Sequence, residues 1–358
     1  MTAHQPGRPF GVRAATLRPV APRPTLRDVA TAAGVHPATA SRALNEATRS
    51  LVRPATVERV REVATALGYQ VNPIARSLKT SRSETVGVLV PDLTNPLFPP
   101  IVRGIEDVLA PAHYNAWLVN TDNDAEREES LVDSLRSRQV EGLIVATARL
   151  QHPLLDRLQA EGVRMVLINR RTAAGSIPSV TADDANGIDT AVEHLTRLGH
   201  RRIAHLAGPQ DTSTGVVRRR AFVQAMRDHD LEDNAGMVAD CASWTEAEGA
   251  RALRELLDAG GDFTAVVAGN DLLALGCYDV FHERGIRCPE DLSVIGFNDM
   301  PYLDKLRPPL TSVRVPHYEV GAEAARMLLD GLEDPTRHAR SILLPITLVE
   351  RSSTAALP

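Results

Sequence analysis

The sequence predicts a small all-α head carrying a helix-turn-helix, followed by a two-lobed α/β body built on two doubly wound parallel sheets. Three observations predict it. Residues 24–68 show the 3.6-residue apolar period of three short helices. From residue 85 the pattern changes to short β-rich runs alternating with amphipathic helical stretches, which implies parallel sheets with crossover helices. The charge also divides. The first 83 residues carry 13 Arg plus Lys against 4 acids, or +9, so a chain of net charge −5 leaves −14 for the rest. A basic head on an acidic body is the distribution of a nucleic-acid-binding chain. By charge alone, a solvated basic surface with no partner would look the same.

In the first helix, Leu26, Val29, Ala30 and Ala33 form one apolar stripe. Thr25 is placed to cap it and Gly34 to end it. The second helix spans 37–45, with Pro37 suited to the first helical position. The third runs from about 54 to 67, with Val57, Val60, Ala64 and Leu67 inside and Gly68 as its stop. Ala30, Val35, Ala40 and Leu44 can pack the first two helices together across Gly34. Ala38, Thr39, Ser41 and Arg42 then face outward on a helix that suits a major groove. Arg42 has the reach for a bidentate guanine contact and Ala38 for a thymine methyl. Thr39 and Ser41 suit phosphate contacts. Thr25, Pro37 and Asn45 complete the expected DNA-contact set. Residues 1–23, rich in Pro and Arg and without periodicity, read as a disordered basic arm.

The β-rich runs of the body include 85–90, 116–119, 142–145, 165–168, 203–206, 265–268 and 293–297. The helices between them include about 100–110, 126–138, 186–198, 217–229, 245–259 and 271–284. Roughly 260 residues of this pattern suggest two lobes rather than one. Ligands of such sheets sit at the carboxyl ends of the strands. Asp92, Asn95 and Phe98 follow the first strand, Asn169 the fourth run, Asn270 and Asp271 the sixth, Asn298 and Asp299 the seventh. Amides and carboxylates converging there suit a ligand with many hydroxyls, and Trp244 and Phe98 offer rings to stack on. For Asp271 and Asp299 the competing role is a helix N-cap.

Other chemistry is not indicated. No apolar run reaches 18 residues, and the first two dozen lack the apolar stretch of a secretory signal. Cys241, Cys277 and Cys288 lie far apart, which suits free thiols in a reducing cytoplasm rather than a disulfide or zinc framework. Asp122-Asn-Asp124 lacks the glycine and distal glutamate of a calcium loop, so its acids are read as offsetting the dipole of the next helix. The histidines show no metal-ligand spacing, and no nucleophile elbow or phosphate loop is present, so neither an enzyme nor a cofactor is expected.

Leu26-Arg-Asp-Val-Ala, Ala33-Gly-Val and Ala38-Thr-Ala-Ser-Arg-Ala-Leu-Asn45 together resemble the head of the lactose-repressor (LacI/GalR) family. The likeness continues through Gly68-Tyr-Gln-Val-Asn-Pro-Ile-Ala-Arg-Ser-Leu-Lys79 and over about 335 residues. It implies a periplasmic-binding-protein-like body that holds a sugar effector and forms a homodimer on operator DNA. It divides the chain into head 24–71, hinge helix and linker 72–83, body 84–352 and tail 353–358. The first lobe is then about 84–182 with 313–339, and the second 183–312 with 340–352. Within the hinge, Asn72 can cap the helix, Leu78 matches a wedge that opens a base step, and Ala75 and Lys79 match minor-groove positions. In the body, Gly208-Pro-Gln with Arg218-Arg-Arg-Ala-Phe222 resembles a family stretch that puts Arg218 on the ligand-binding arginine. Trp244 and Asn270 match the ligand ring and ligand asparagine. The segment from Leu306 to Thr311 matches a structural crossover. Three departures stand out. His36 replaces the usual Ser cap, the loop 46–51 is about two residues longer, and Asn169 and Asn298 stand where acids are common.

The reading is a ligand-regulated transcription regulator, a repressor of carbohydrate-related genes that binds a pseudo-palindromic operator as a dimer. A solute-binding protein of the same body fold is the alternative. It predicts a secretory signal and no head. A sugar-converting enzyme would need an acid–base pair that the sequence does not identify.

Overall fold

The computed structural model describes residues 24–46, 48–70, 83–231, 237–334, 336 and 340–357. The arm expected at 1–23 and the hinge residues Asn72, Ala75, Leu78 and Lys79 lie outside the described residues. The chain divides into two compact units, residues 1–81 and 82–358.

The head contains α1 (Leu26–Ala32), α2 (Pro37–Leu44) and α3 (Pro54–Ala66). Thr25 and Asp28 form a reciprocal capping box at the start of α1. Gly34 takes φ +63°, a left-handed turn that L side chains rarely adopt. The core of the head is Val29, Ala30, Ala33, Ala40, Ala43, Val60 and Ala64. Its small residues let α1 and α2 approach closely. Leu67, expected on the inner stripe, is instead exposed, because α3 has ended and residue 67 is already its C-cap.

In the body, the first sheet has the order β11-β5-β4-β3-β1-β2. Its strands are β1 (Thr85–Val90), β2 (Asn115–Asn120), β3 (Gly142–Val145), β4 (Met165–Ile168), β5 (Ser179–Ala182) and β11 (Ser341–Leu344), all parallel. The second has the order β12-β10-β9-β8-β6-β7. It comprises β6 (Ile203–Ala207), β7 (Val238–Asp240), β8 (Ala265–Ala268), β9 (Ser293–Asn298), β10 (Thr311–Arg314) and β12 (Thr347–Val349). Only β12 runs antiparallel, against β10. Strands β1, β3, β4, β6, β8 and β9 are almost wholly buried apolar runs, as strands covered by helices on both faces must be.

Two boundary expectations are corrected. Residues 340–352 do not all belong to the second lobe, since β11 pairs with β5 in the first sheet and only β12 returns to the second. Edge strands carry no sequence mark of the sheet they join. Residues 353–357, expected as a tail outside the body, are instead part of the second lobe. Ser353 is fully buried, its Oγ donates to Val294 O, and Leu357 N donates to Leu198 O. Backbone polar groups held this way stay ordered.

Helices cover both faces of the sheets. Among them are α4 (Phe98–Leu109), α5 (Ala125–Ser137) and α6 (Pro153–Ala160) of the first lobe, and α7 (Asp184–Arg197), α8 (Ser213–Asp228), α9 (Glu246–Asp258) and α10 (Asp271–Arg284) of the second. The helix α11 (His317–Glu333) packs on α4 backbone to backbone. A Cβ on Gly104 would sit 2.1 Å from Tyr318 O, and one on Gly321 2.0 Å from Ile101 O. The chain passes between the lobes after β5, after β10 and between β11 and β12.

Candidate functional site

The DNA-reading candidates sit on and around α2. Ala38 and Arg42 are exposed, and Thr39 and Ser41 half-buried. Pro37 opens the helix, and exposed Asn45 is its C-cap. The expected loss of a Ser cap is made good by the imidazole. His36 Nδ1 accepts a hydrogen bond from Ala38 N at 3.2 Å. Thr25 is further occupied than expected, since its hydroxyl donates to Asp28 Oδ2 at 2.8 Å. In the longer loop a short 3₁₀ turn forms at Arg49–Leu51, and Thr48 Oγ1 donates to Arg42 O at 3.2 Å.

The second candidate is a cleft of about 190 Å³ between the lobes. Strand order reverses beside β1 and β3 in the first sheet and beside β6 and β8 in the second. Residues following these strands line the cleft, as switch points predict. All eight expected ligand residues, Asp92, Asn95, Phe98, Asn169, Arg218, Trp244, Asn270 and Asn298, come together there.

Their chemistry differs from expectation in four ways. Arg218 is largely occupied by the protein. Its Nε and Nη2 donate to Asp184 Oδ1 at 2.9 and 2.7 Å, and its Nη1 to Gly269 O at 2.5 Å. Its guanidinium also stacks 3.7 Å over the Phe297 ring centroid. That leaves two of its five N–H groups for a ligand. Burial raises the pKa of the Asp184 carboxyl, and the Arg218 charge offsets part of that rise. Phe98 is only 2% exposed and belongs to the core, so the stacking face falls to half-buried Trp244. Asn270 is the N-cap of α10, its Oδ1 accepting from Leu273 N at 2.8 Å, so a ligand contact falls to its Nδ2.

The fourth difference concerns the capping acids. Asp271 is not a cap but a fully buried group that accepts from Ser312 Oγ at 2.6 Å and Met300 N at 2.9 Å. Burial pushes its pKa up to about 7 against those two hydrogen bonds. Asp299 pairs instead with Arg314 and Arg351, at 2.7 and 2.6 Å. The dipole-offsetting reading of the 122–124 acids holds in part, since Asp124 caps α5.

Asn169 takes φ +62°, in the left-handed region that Asn tolerates better than most residues, and Asn298 takes φ +117°, beyond it. Such conformations cluster where a side chain is held for a ligand. Trp244 is fixed by glycine, because a Cβ on Gly208 would lie 1.9 Å from its ring. The crossover from Leu306 is structural in the main, with Tyr278 Oη donating to Pro308 O and Arg351 Nη1 to Leu310 O.

Sequence reasoning missed Arg149 and Arg170, which also line the cleft. Both lie just after strands β3 and β4, so the strand-end rule that selected Asn169 would have found them. Arg149 donates to Asn123 O at 2.6 Å and stands 3.7 Å from Asp211. Arg170 is 7% exposed, and its buried Nε has no hydrogen-bond partner among the described residues. Among those residues no cluster of His, Cys, Asp or Glu is placed to hold a metal, and no helix is long and apolar enough to cross a membrane.

A helix-turn-helix head on a body with a polar interlobe cleft defines a class, the DNA-binding regulators with a binding-protein-like sensor. Residues 25–72 match the bacterial regulatory proteins of the lacI family, and residues 192–354 match a periplasmic binding protein-like domain. The chain is 33% identical over 334 residues to the HTH-type transcriptional repressor CytR of Escherichia coli strain K12, covering 93% of this chain and 97% of that one. A structure of the regulator CelR in complex with cellobiose matches with TM-score 0.71 and 32% identity, covering 92% of this chain and all of the other. The lac repressor dimer bound to operator and the anti-inducer ONPF matches with TM-score 0.84 and 26% identity, covering 94% of this chain and all of the other. The chain belongs to the lacI family of DNA-binding transcription regulators, which are not enzymes.

Proposed function

We propose that this chain is a cytoplasmic repressor that binds a pseudo-palindromic operator as a homodimer and is controlled by a carbohydrate held in the interlobe cleft. The observation that carries the reading is the gathering of eight strand-end and ring residues around one cleft. A carbohydrate presents many hydroxyls and one apolar ring face. Asn169, Asn270 and Asn298 offer amides to the former, and Trp244 a face to the latter. The relative solved with cellobiose supports this class of effector.

On the DNA side, Arg42 and Ala38 read base edges while Thr39 and Ser41 hold phosphates. Thr25, Pro37 and Asn45 flank that contact, and Asn72, Ala75, Leu78 and Lys79 serve the minor groove. The lac repressor dimer solved on its operator supports the two-fold arrangement. The lobes change their closure when ligand binds, and the effector acts only through its different affinity for the two closures.

The test is fluorescence anisotropy of a labelled operator, titrated with the full chain with and without sugars that stabilise it against heat. A stabilising sugar should shift operator affinity. A sugar that binds in the cleft but leaves operator affinity unchanged would reduce the body to a binding module. A solute-binding protein is disfavoured by the head itself, which such a role does not use.

A further inference from the structure

We propose that the effector is an anion, a small polyol carrying a carboxylate or phosphate group, and that Arg170 with Arg149 forms the subsite for its charge. This rests on the cleft being the effector site, as proposed above.

Arg170 follows Asn169 at the end of β4 and lines the cleft. It is 93% buried, its Nε has no partner, and no described carboxylate forms an ion pair with its guanidinium. The other buried arginine of the cleft does not share this state, since Asp184 holds Arg218. Burial pushes the Arg170 pKa down to about 10. Asp211 and Glu128 oppose that shift, while Arg149 and Arg218 add to it.

A buried cation needs both hydrogen-bond acceptors and compensating charge. A neutral hydroxyl supplies only the first. A carboxylate or phosphate supplies both, with two oxygens that the planar guanidinium fork can bind at once. The nearby protein groups leave that role open. Asn169 and Asn298 are uncharged, Asp211 is exposed and already faces Arg149, Glu128 is engaged by Thr147 and His152, and Asp92 accepts from Thr94. Arg149 lines the same cleft, half-buried, and can add its charge to the anion's site.

The test uses the full chain in calorimetry and thermal shift. One arm takes galacturonate, glucuronate and gluconate; a second takes glucose 6-phosphate and ribose 5-phosphate; a third takes neutral galactose, glucose and ribose. At least one charged probe should bind about tenfold or more tightly than its neutral counterpart, with an advantage that shrinks as salt rises. The first two arms separate carboxylate from phosphate. Arg170→Gln should bring the charged probe down to about the affinity of its neutral counterpart. A second readout needs no ligand: Arg170→Met should raise the melting temperature of the free protein by removing an unpaired buried charge.

Three results would overturn the proposal. Neutral sugars could bind as tightly as the charged ones, no charged probe could bind, or Arg170→Met could lower the free protein's melting temperature. If a neutral sugar binds and shifts operator affinity, the repressor reading stands without the anion subsite. If ligands bind but never shift operator affinity, the repressor reading itself fails.

Discussion

Arg218 and Asp184 form a buried pair in which two guanidinium nitrogens, at 2.9 and 2.7 Å, share one carboxylate oxygen. The pair ties α8 to the first turn of α7 beneath the cleft floor. Arg218→Ala strands a buried carboxylate and should cost about 3–5 kcal/mol, the range for breaking such a pair. Replacing both partners, as Arg218→Met with Asp184→Leu, should recover most of that loss. Urea unfolding of the single and double variants measures both. A loss under about 1 kcal/mol for Arg218→Ala would mean that the pair contributes little beyond surface ion pairs.

Trp244 is the cleaner probe of the cleft. Trp244→Ala should abolish the ligand response while ligand-free operator affinity stays nearly intact. Gly208→Ala should act in the same direction, because its Cβ would overlap the ring and force it away. Calorimetry of the ligand and anisotropy of the operator separate the two effects. A normal ligand response in both variants would remove Trp244 from the site.

Asp271 makes stability depend on pH. Its folded pKa, about 7, lies above the unfolded carboxylate value of about 4. Between those values the folded chain binds more protons than the unfolded chain, so stability falls as pH rises through the window. The cost is absent below pH about 4 and complete above about 7. An amide can accept from Met300 N and donate to Ser312 Oγ, so Asp271→Asn keeps the hydrogen bonds. It should add about 2–4 kcal/mol at pH 8 and little at pH 4. Denaturant titrations at the two pH values decide it, and equal gains at both would contradict the assignment.

His205 titrates with the opposite sign. It is fully buried, stacks on Phe222 at 4.7 Å and donates from Nδ1 to Val267 O. Burial pushes its pKa down to about 4. The unfolded chain therefore binds the extra proton, and the stability present above pH about 6.5 is lost as pH falls toward 4. His205→Gln should flatten that loss in acid unfolding monitored by circular dichroism. An unchanged acid midpoint would place the lability elsewhere.

The fold was legible where strands are continuous apolar runs, as at Thr85–Val90 and Met165–Ile168. It was less legible where packing uses small residues. Half of the buried residues of α11 are Gly or Ala, and Gly321 shows its role only against the α4 backbone. The half-exposed edge strand β11, Ser341-Ile-Leu-Leu344, carries nothing that assigns it to a sheet. The candidate cleft was legible because strand ends are fixed by topology. What the residues there do to one another was not. That Asp184 occupies Arg218, that Asp271 is held by Met300 and Ser312 rather than capping α10, and that Arg170 stands unpartnered are relations between segments far apart in sequence.

On the head, Arg42→Ala should weaken operator binding by about 1–3 kcal/mol, the range for a good bidentate base contact. Arg42 is exposed on α2, where such a contact is reached. Competition between operator and random DNA separates base reading from phosphate attraction. An equal loss on both would make Arg42 a phosphate contact.

The most direct test of the central claim is selection from a random DNA library by the purified full chain. The account predicts two inverted half-sites around a common centre, the footprint of a symmetric dimer. Enrichment of a single asymmetric half-site, or none above random DNA, would contradict it.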